Sequence, residues 1–255
     1  MKKQLLALLF AIVPVTAMAA GGASVPHSME PDLQDQASLQ NGMKLYVNYC
    51  MGCHSLEYQR FARAADDLGI PQDLVEENLI FSSDLAFNDQ MHIAMDRGDA
   101  ESWFGAPPPD LTLEARLRGT DWIYSYLLGF YKDPSRPTGV NNTVFDLVAM
   151  PNVLEPLQGV QELVCAETDQ PVAGQSPDPL SGKYQSCDVL QVTQPGAMEP
   201  AEFEEAVYDL TNFLAYVGEP SKLQAQALAP KVLIFIFIFG VIAYLLKREY
   251  WRDVH

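Results

Sequence analysis

The sequence predicts a mainly α domain with long loops, followed by one C-terminal transmembrane helix. Three observations carry that prediction. Apolar residues recur at steps of three and four in two distant segments, Leu39, Met43, Tyr46, Val47, Cys50 and then Phe203, Val207, Leu210, Leu214, Val217. The stretches between them are rich in proline and glycine, which interrupt regular elements. Near the end, Val232 to Leu246 is apolar on every face and carries no charge.

Both ends of the 255-residue chain are strongly apolar, but in different ways. Lys2 and Lys3, the apolar run Leu5 to Val13 and the small-x-small triplet Ala17-Met18-Ala19 have the form of a secretory signal. That run is too short to span a bilayer. Residues 1–19 are therefore expected to be removed on export, with cutting after Ala19 or Ala20. The C-terminal run is slightly short for a hydrocarbon core of about 30 Å. Leu228, Ala229 and the aliphatic stems of Lys231 and Lys247 extend it. Lys247, Arg248 and Arg252 follow, with Tyr250 and Trp251 at interface distance, so the positive-inside rule puts the C-terminus in the cytoplasm. The expected organisation is an exported domain at 20–226, an anchor in membrane lipid at 227–247 and a cytoplasmic tail at 248–255. A bacterial inner membrane with the domain in the periplasm fits this arrangement.

The body between these ends is very acidic. Ala20 to Pro230 holds ten Lys and Arg against 31 Asp and Glu. Such a field excludes nucleic acid as a partner and favours steering of a basic protein.

The stretch that carries chemistry is Cys50-Met51-Gly52-Cys53-His54. A C-x-x-C-H pentapeptide reads as a c-type haem attachment site. Two thiols three positions apart can each add to one vinyl group of a haem, and the following imidazole can ligate the iron. On a helix the cysteines and the histidine share one side, so a single turn both staples and ligates. A thioredoxin-like C-x-x-C would need a βαβ setting, and nothing before residue 50 resembles a strand. A zinc ribbon would need a second C-x-x-C, whereas Cys165 and Cys187 stand far apart. The domain is thus expected to be a c-type cytochrome haem domain.

Taken in order, Gly21 to Asp35 is small and polar, an extended arm. A helix beginning near Ser38 delivers the pentapeptide to the core. Ser55 to Asp67 is expected to continue in helical style through Leu56, Phe61 and Ala65, until Gly69 and Pro71 stop it. Asp73 to Asn78 and Asp89 to Asp96 read as short acidic helical pieces. His92 lies there between Met91 and Met95, but methionine at helical spacing usually fills core gaps. Ala106-Pro107-Pro108-Pro109-Asp110-Leu111-Thr112 is a rigid wall without backbone donors at its prolines. Glu114 to Arg118 gives a turn or two of helix, and Thr120 or Asp121 caps another, Trp122 to Leu128, ended by Gly129. Pro137 to Gln194 is expected to be mostly loop. It holds Cys165 and Cys187, an even remainder that suggests a disulfide in an exported chain. A last helix starts at Pro200, with Glu199, Glu202, Glu204 and Glu205 near its N-terminus, and ends at Gly218 and Pro220.

An electron carrier fills both axial positions of its iron, and a thioether raises the potential. Met150 has the best setting, on an apolar loop stiffened by Pro151. Met198 is second, at the mouth of the last helix.

The pattern as a whole resembles cytochrome c1, the haem subunit of quinol–cytochrome c reductase (the cytochrome bc1 complex). The segments that carry the resemblance are Gly42 to Leu56 around the pentapeptide, Trp103-Phe104-Gly105-Ala106 into the triple proline and Thr112, Met150-Pro151, and Asp209 to Pro220 leading into one anchor. The resemblance implies one covalent haem c, with Cys50 and Cys53 in thioether bonds, His54 as proximal and Met150 as distal metal ligand. It implies that Pro109 lines the proximal wall, that Arg118 neutralises a haem propionate, and that Trp122 occupies an adjacent position usually held by tyrosine. It further implies a subunit of a quinol–cytochrome c oxidoreductase in the respiratory chain. The chain itself would be an electron carrier, receiving electrons from the Rieske iron–sulfur protein and passing them to a soluble cytochrome c, beside cytochrome b in a dimeric complex. The paired cysteines after Met150 are not a general feature of the family.

Overall fold

The computed structural model describes residues 25–169, 171 and 176–252. The expected signal peptide lies outside the described residues. About 47% of the described residues are helical, and the rest include three two-stranded antiparallel ribbons joined by irregular segments.

Helix α1, Gln36–Leu45, opens on Asp35, whose carboxylate accepts the Ser38 N–H at 3.1 Å. It runs into a π-helical turn, Tyr46–Cys50. Leu39, Met43 and Tyr46 are fully buried, as their spacing predicts. Strand β1, Leu56–Arg60, follows, then α2, Phe61–Leu68, closed by Gly69 in the left-handed region at φ 66°. The helical reading of Ser55 to Asp67 is thus corrected in its first half. Leu56 pairs with Met91 in β2, Gln90–Met91, across a bulge. The step from Leu56 to Phe61 and Ala65 suits a helix in the sequence, but the strand buries Leu56 and Gln59 and exposes the two residues between them. After α3, Gln72–Asn78, comes β2 where a helical piece at Asp89 to Asp96 is expected. Asp96 instead caps α4, Arg97–Phe104, accepting from the Gly98 and Asp99 N–H groups.

Helices α5, Glu114–Arg118, and α6, Thr120–Leu128, fall in the expected segments, but α6 takes in Thr120 and Asp121, the expected caps, and starts after Gly119 with no side-chain cap. Beyond them the largest correction appears. Pro137 to Gln194 is not mostly loop. It contains β4, Val140–Asn142, which pairs with β3, Phe130–Lys132. A short helix α7, Glu155–Gln158, then leads into a long hairpin of β5, Gly159–Thr168, and β6, Tyr184–Pro195. A disulfide joins Cys165 and Cys187 across that hairpin.

Helix α8, Pro200–Gly218, is the central element. Glu199 and Glu202 form a capping box at its start. Phe203, Val207, Leu210, Leu214 and Val217 are all buried, as are Phe213 and Tyr216 on another side, because α1, α5 and α6 all pack on it. At the α1 crossing Gly42 has no alternative: a Cβ there would fall on the Asp209 carbonyl and the Phe213 Cβ. The arm before α1 is pinned to both α6 and α8. Asp121 accepts the Met29 N–H at 2.8 Å, and Asn212 donates to the Asp32 carbonyl at 2.8 Å. After Glu219 to Ser221, helix α9, Lys222–Tyr250, contains the apolar run and buries none of its residues. It is longer at both ends than the expected 227–247. Among the described residues it is one helix long and apolar enough to cross a membrane, which fits a membrane-anchored protein.

Candidate functional site

Beneath α8 and between α6 and the triple proline lies a cavity of about 380 Å³. Cys50, Cys53, His54, Pro109, Arg118, Trp122 and Met150 all line it. Every residue singled out for haem binding in the sequence is therefore brought to one place.

The pentapeptide enters as a continuing turn. The Cys53 and His54 N–H groups donate to the Cys50 carbonyl at 3.0 and 2.9 Å, which sets the two thiols and the imidazole along the cavity edge. The Tyr46 hydroxyl donates to the His54 carbonyl at 2.6 Å and fixes the turn from below. Both thiols are free; Cys50 is buried and Cys53 half-buried. Burial, and after it the neighbouring Cys53, pushes the Cys50 thiol up to about 12. A thiol-exchange motif needs the reverse, a depressed thiol, so the redox reading of this C-x-x-C has no support in its surroundings.

His54 Nδ1 lies 2.7 Å from the Pro109 carbonyl. A carbonyl only accepts, so Nδ1 carries the proton and Nε2 keeps its lone pair. Burial holds the ring below the usual histidine range, against the opposing Pro109 bond and the carboxylates of Asp110 and Glu114. The proline wall is itself anchored. Leu111 N–H donates to the Ser55 carbonyl at 3.0 Å, and Asp110 accepts the Glu57 N–H at 2.7 Å.

The methionine wall is built by α6 and the loop after β4. Tyr126 donates its hydroxyl to Met150 Sδ at 3.4 Å and stacks on Trp122, with ring centroids 4.9 Å apart. Arg118 places its guanidinium 4.3 Å from the Trp122 ring centroid and pairs with Glu114 at 2.7 Å. Sequence reasoning missed Tyr126 and Phe145 as lining residues. Tyr126 stands four positions after Trp122, one helical turn, and that spacing was the available signal. Met198 does not line the cavity and packs instead at the edge of the main core. His92 is exposed and Met91 is core. The Cys165–Cys187 pair is also apart from the cavity lining.

These residues fit a covalent haem. Two free thiols, an imidazole with its distal nitrogen unprotonated, a thioether, apolar walls and one cation are the donor set that such a group needs. A scan against protein-family models finds no match. Among curated proteins the chain is 44% identical to cytochrome c1 of Allochromatium vinosum over 255 residues, covering all of both chains.

The chain belongs to the cytochrome c1 family.

It is also 40% identical to the ammonia monooxygenase gamma subunit of Nitrosomonas europaea over 251 residues, with 98% of this chain and 97% of that one covered. Cytochrome c1 of Rhodobacter capsulatus is 23% identical over 286 residues, again nearly end to end. Cytochrome c1 proteins carry a covalently bound haem c and serve electron transport. They are the haem-carrying electron-transfer subunits of bc1 complexes.

Proposed function

We propose that this chain is the electron-transfer subunit of a quinol–cytochrome c reductase, taking electrons from a Rieske iron–sulfur protein and passing them to a soluble cytochrome c. The observation that carries the reading is the meeting of His54 and Met150, 96 positions apart in sequence, at one cavity that also holds both free thiols. Haem c, when bound, supplies reversible one-electron chemistry at its iron. The chain's own residues do the rest. Cys50 and Cys53 provide thiols for two thioether bonds. His54 presents Nε2 while Pro109 holds the ring in one tautomer, and Met150 presents its sulfur while Tyr126 orients it. Arg118 offers a cation to a propionate, and Trp122 keeps that cation at the cavity wall. The apolar lining excludes water, so the surroundings reorganise little when charge changes.

In this reading the domain lies in the periplasm, with residues 1–19 as its export signal and the C-terminus in the cytoplasm. Cytochrome b is the neighbour of the anchor, in a dimeric complex. The acidic body supports docking of a basic acceptor. A second reading, a subunit associated with an ammonia monooxygenase, is favoured by the 40% identity to the ammonia monooxygenase gamma subunit of Nitrosomonas europaea. Purifying the detergent-solubilised complex separates the two. Cytochrome b and a Rieske protein among its subunits are expected, and copurifying monooxygenase subunits in their place would sink the first reading. The reduced complex should ignore carbon monoxide; ready binding would point to an open sixth position and to a sensor or enzyme instead of a carrier.

A further inference from the structure

The loop that carries Met150 packs on a small cluster of its own. Phe130, Val140 and Val148 form it, separate from the main core, with Tyr126 and Met150 against it. Between Phe145 and Met150 the chain is neither helix nor strand. Among the described residues, Leu147 is the non-glycine residue with positive φ, at 59°. An L residue with a branched side chain rarely adopts that conformation and keeps it where the surroundings over-determine it.

The surroundings here are the β3–β4 hairpin. Arg136, in its connecting turn, donates Nη2 to the Leu147 carbonyl at 3.0 Å. The Leu147 N–H donates to Asp146 Oδ1 at 2.8 Å, and Asn141 Nδ2 donates to that same oxygen at 2.8 Å. Both peptide groups of the left-handed residue are therefore held, one by Arg136 directly and one through Asp146 by Asn141. Asn142 is buried and completes the frame. Its Oδ1 accepts the Val144 and Phe145 N–H groups at 2.8 and 3.2 Å, and its Nδ2 donates to the Tyr126 carbonyl at 2.7 Å. Tyr126 is the residue whose hydroxyl reaches the Met150 sulfur.

We infer that Arg136, Asn141 and Asn142 are positioning residues, which hold the left-handed turn at Leu147 and so keep the Met150 sulfur in the cavity. The inference rests on Met150 as the sulfur ligand. None of the three residues lines the cavity, so their effect on the iron passes through the loop.

The intact membrane complex tests this. With Arg136→Met, the haem should stay covalently attached with normal Soret absorbance. Most of the far-red sulfur-to-ferric-iron band should be lost, and the ferrous form should bind carbon monoxide. Arg136→Lys, which keeps a donor for the Leu147 carbonyl, should restore much of the band. Asn142→Ala should act in the same direction as Arg136→Met. Lys132→Ala removes the hairpin's 2.9 Å ion pair with Glu162 and should leave the band unchanged. A full band in both Arg136→Met and Asn142→Ala, with Met150→Leu abolishing it, overturns the positioning role and leaves the ligand assignment standing. Equal loss in Lys132→Ala also overturns it, since hairpin stability would then be the cause. A full band in Met150→Leu removes the ligand assignment and this inference with it.

Discussion

At the scale of the residue, His54 and Met150 are prepared in different ways. The imidazole is committed to one tautomer by a proline carbonyl, and the sulfur is held by a phenol hydroxyl and a strained loop. Replacing Met150 with Leu is expected to lower the reduction potential sharply, because the thioether is what raises it. Met198→Leu should leave the potential within error of the parent, and redox titration of the two variants checks the pair. A reversed outcome would move the sulfur ligand to Met198. The pentapeptide was legible in the sequence because its chemistry is local: thiols and ligand sit within five consecutive positions. Tyr126 was less so, since its role depends on meeting a sulfur 24 positions away, and its one local signal is the helical turn that separates it from Trp122.

At the scale of the element, α1 and α8 were legible because each carries an unbroken apolar period, although α8 buries a second side as well. Their crossing gives a prediction. Gly42→Ala puts a methyl group against backbone and Cβ atoms that cannot swing aside, so the two helices must separate. Overpacking of this kind costs about 1–3 kcal/mol. The temperature at which the Soret band collapses should fall accordingly. The β5–β6 hairpin was illegible for the opposite reason. It is a two-stranded ribbon that lies partly in solvent beyond its root. Leu163 falls out of step with Val160, Val164 and Ala166, which breaks the alternation in the sequence, and the pairing with β6 shifts register between Val160 and Gln161 and between Val164 and Ala166. Its disulfide spans 22 positions, and the chain-entropy model gives such a closure about 3 kcal/mol. The root is held separately, by Gln161 donating to the Leu128 and Phe130 carbonyls at 3.0 and 2.7 Å. Replacing both Cys165 and Cys187 with Ser should therefore speed hydrogen exchange through the outer hairpin while the haem spectrum stays as it was. A spectral change would show that the hairpin also supports the cavity.

At the scale of the whole molecule, charge and tether decide how the site is used. The excess of acidic over basic residues between positions 20 and 230 acts over a Debye length of about 10 Å at 0.1 M salt. Electron transfer to a basic soluble acceptor should slow as ionic strength rises, in stopped-flow traces taken across a salt series. A flat response would remove electrostatic steering from the account. The tether is equally consequential. Only Glu219, Pro220 and Ser221 separate α8, which roofs the cavity with Leu210 and Leu214, from the long apolar helix α9. Three residues reach at most roughly 10 Å. With α9 in the membrane, as proposed, a haem held in this cavity would stay within a short reach of the lipid headgroups, like a lamp on a short post, and proteins exchanging electrons with it would have to come to it.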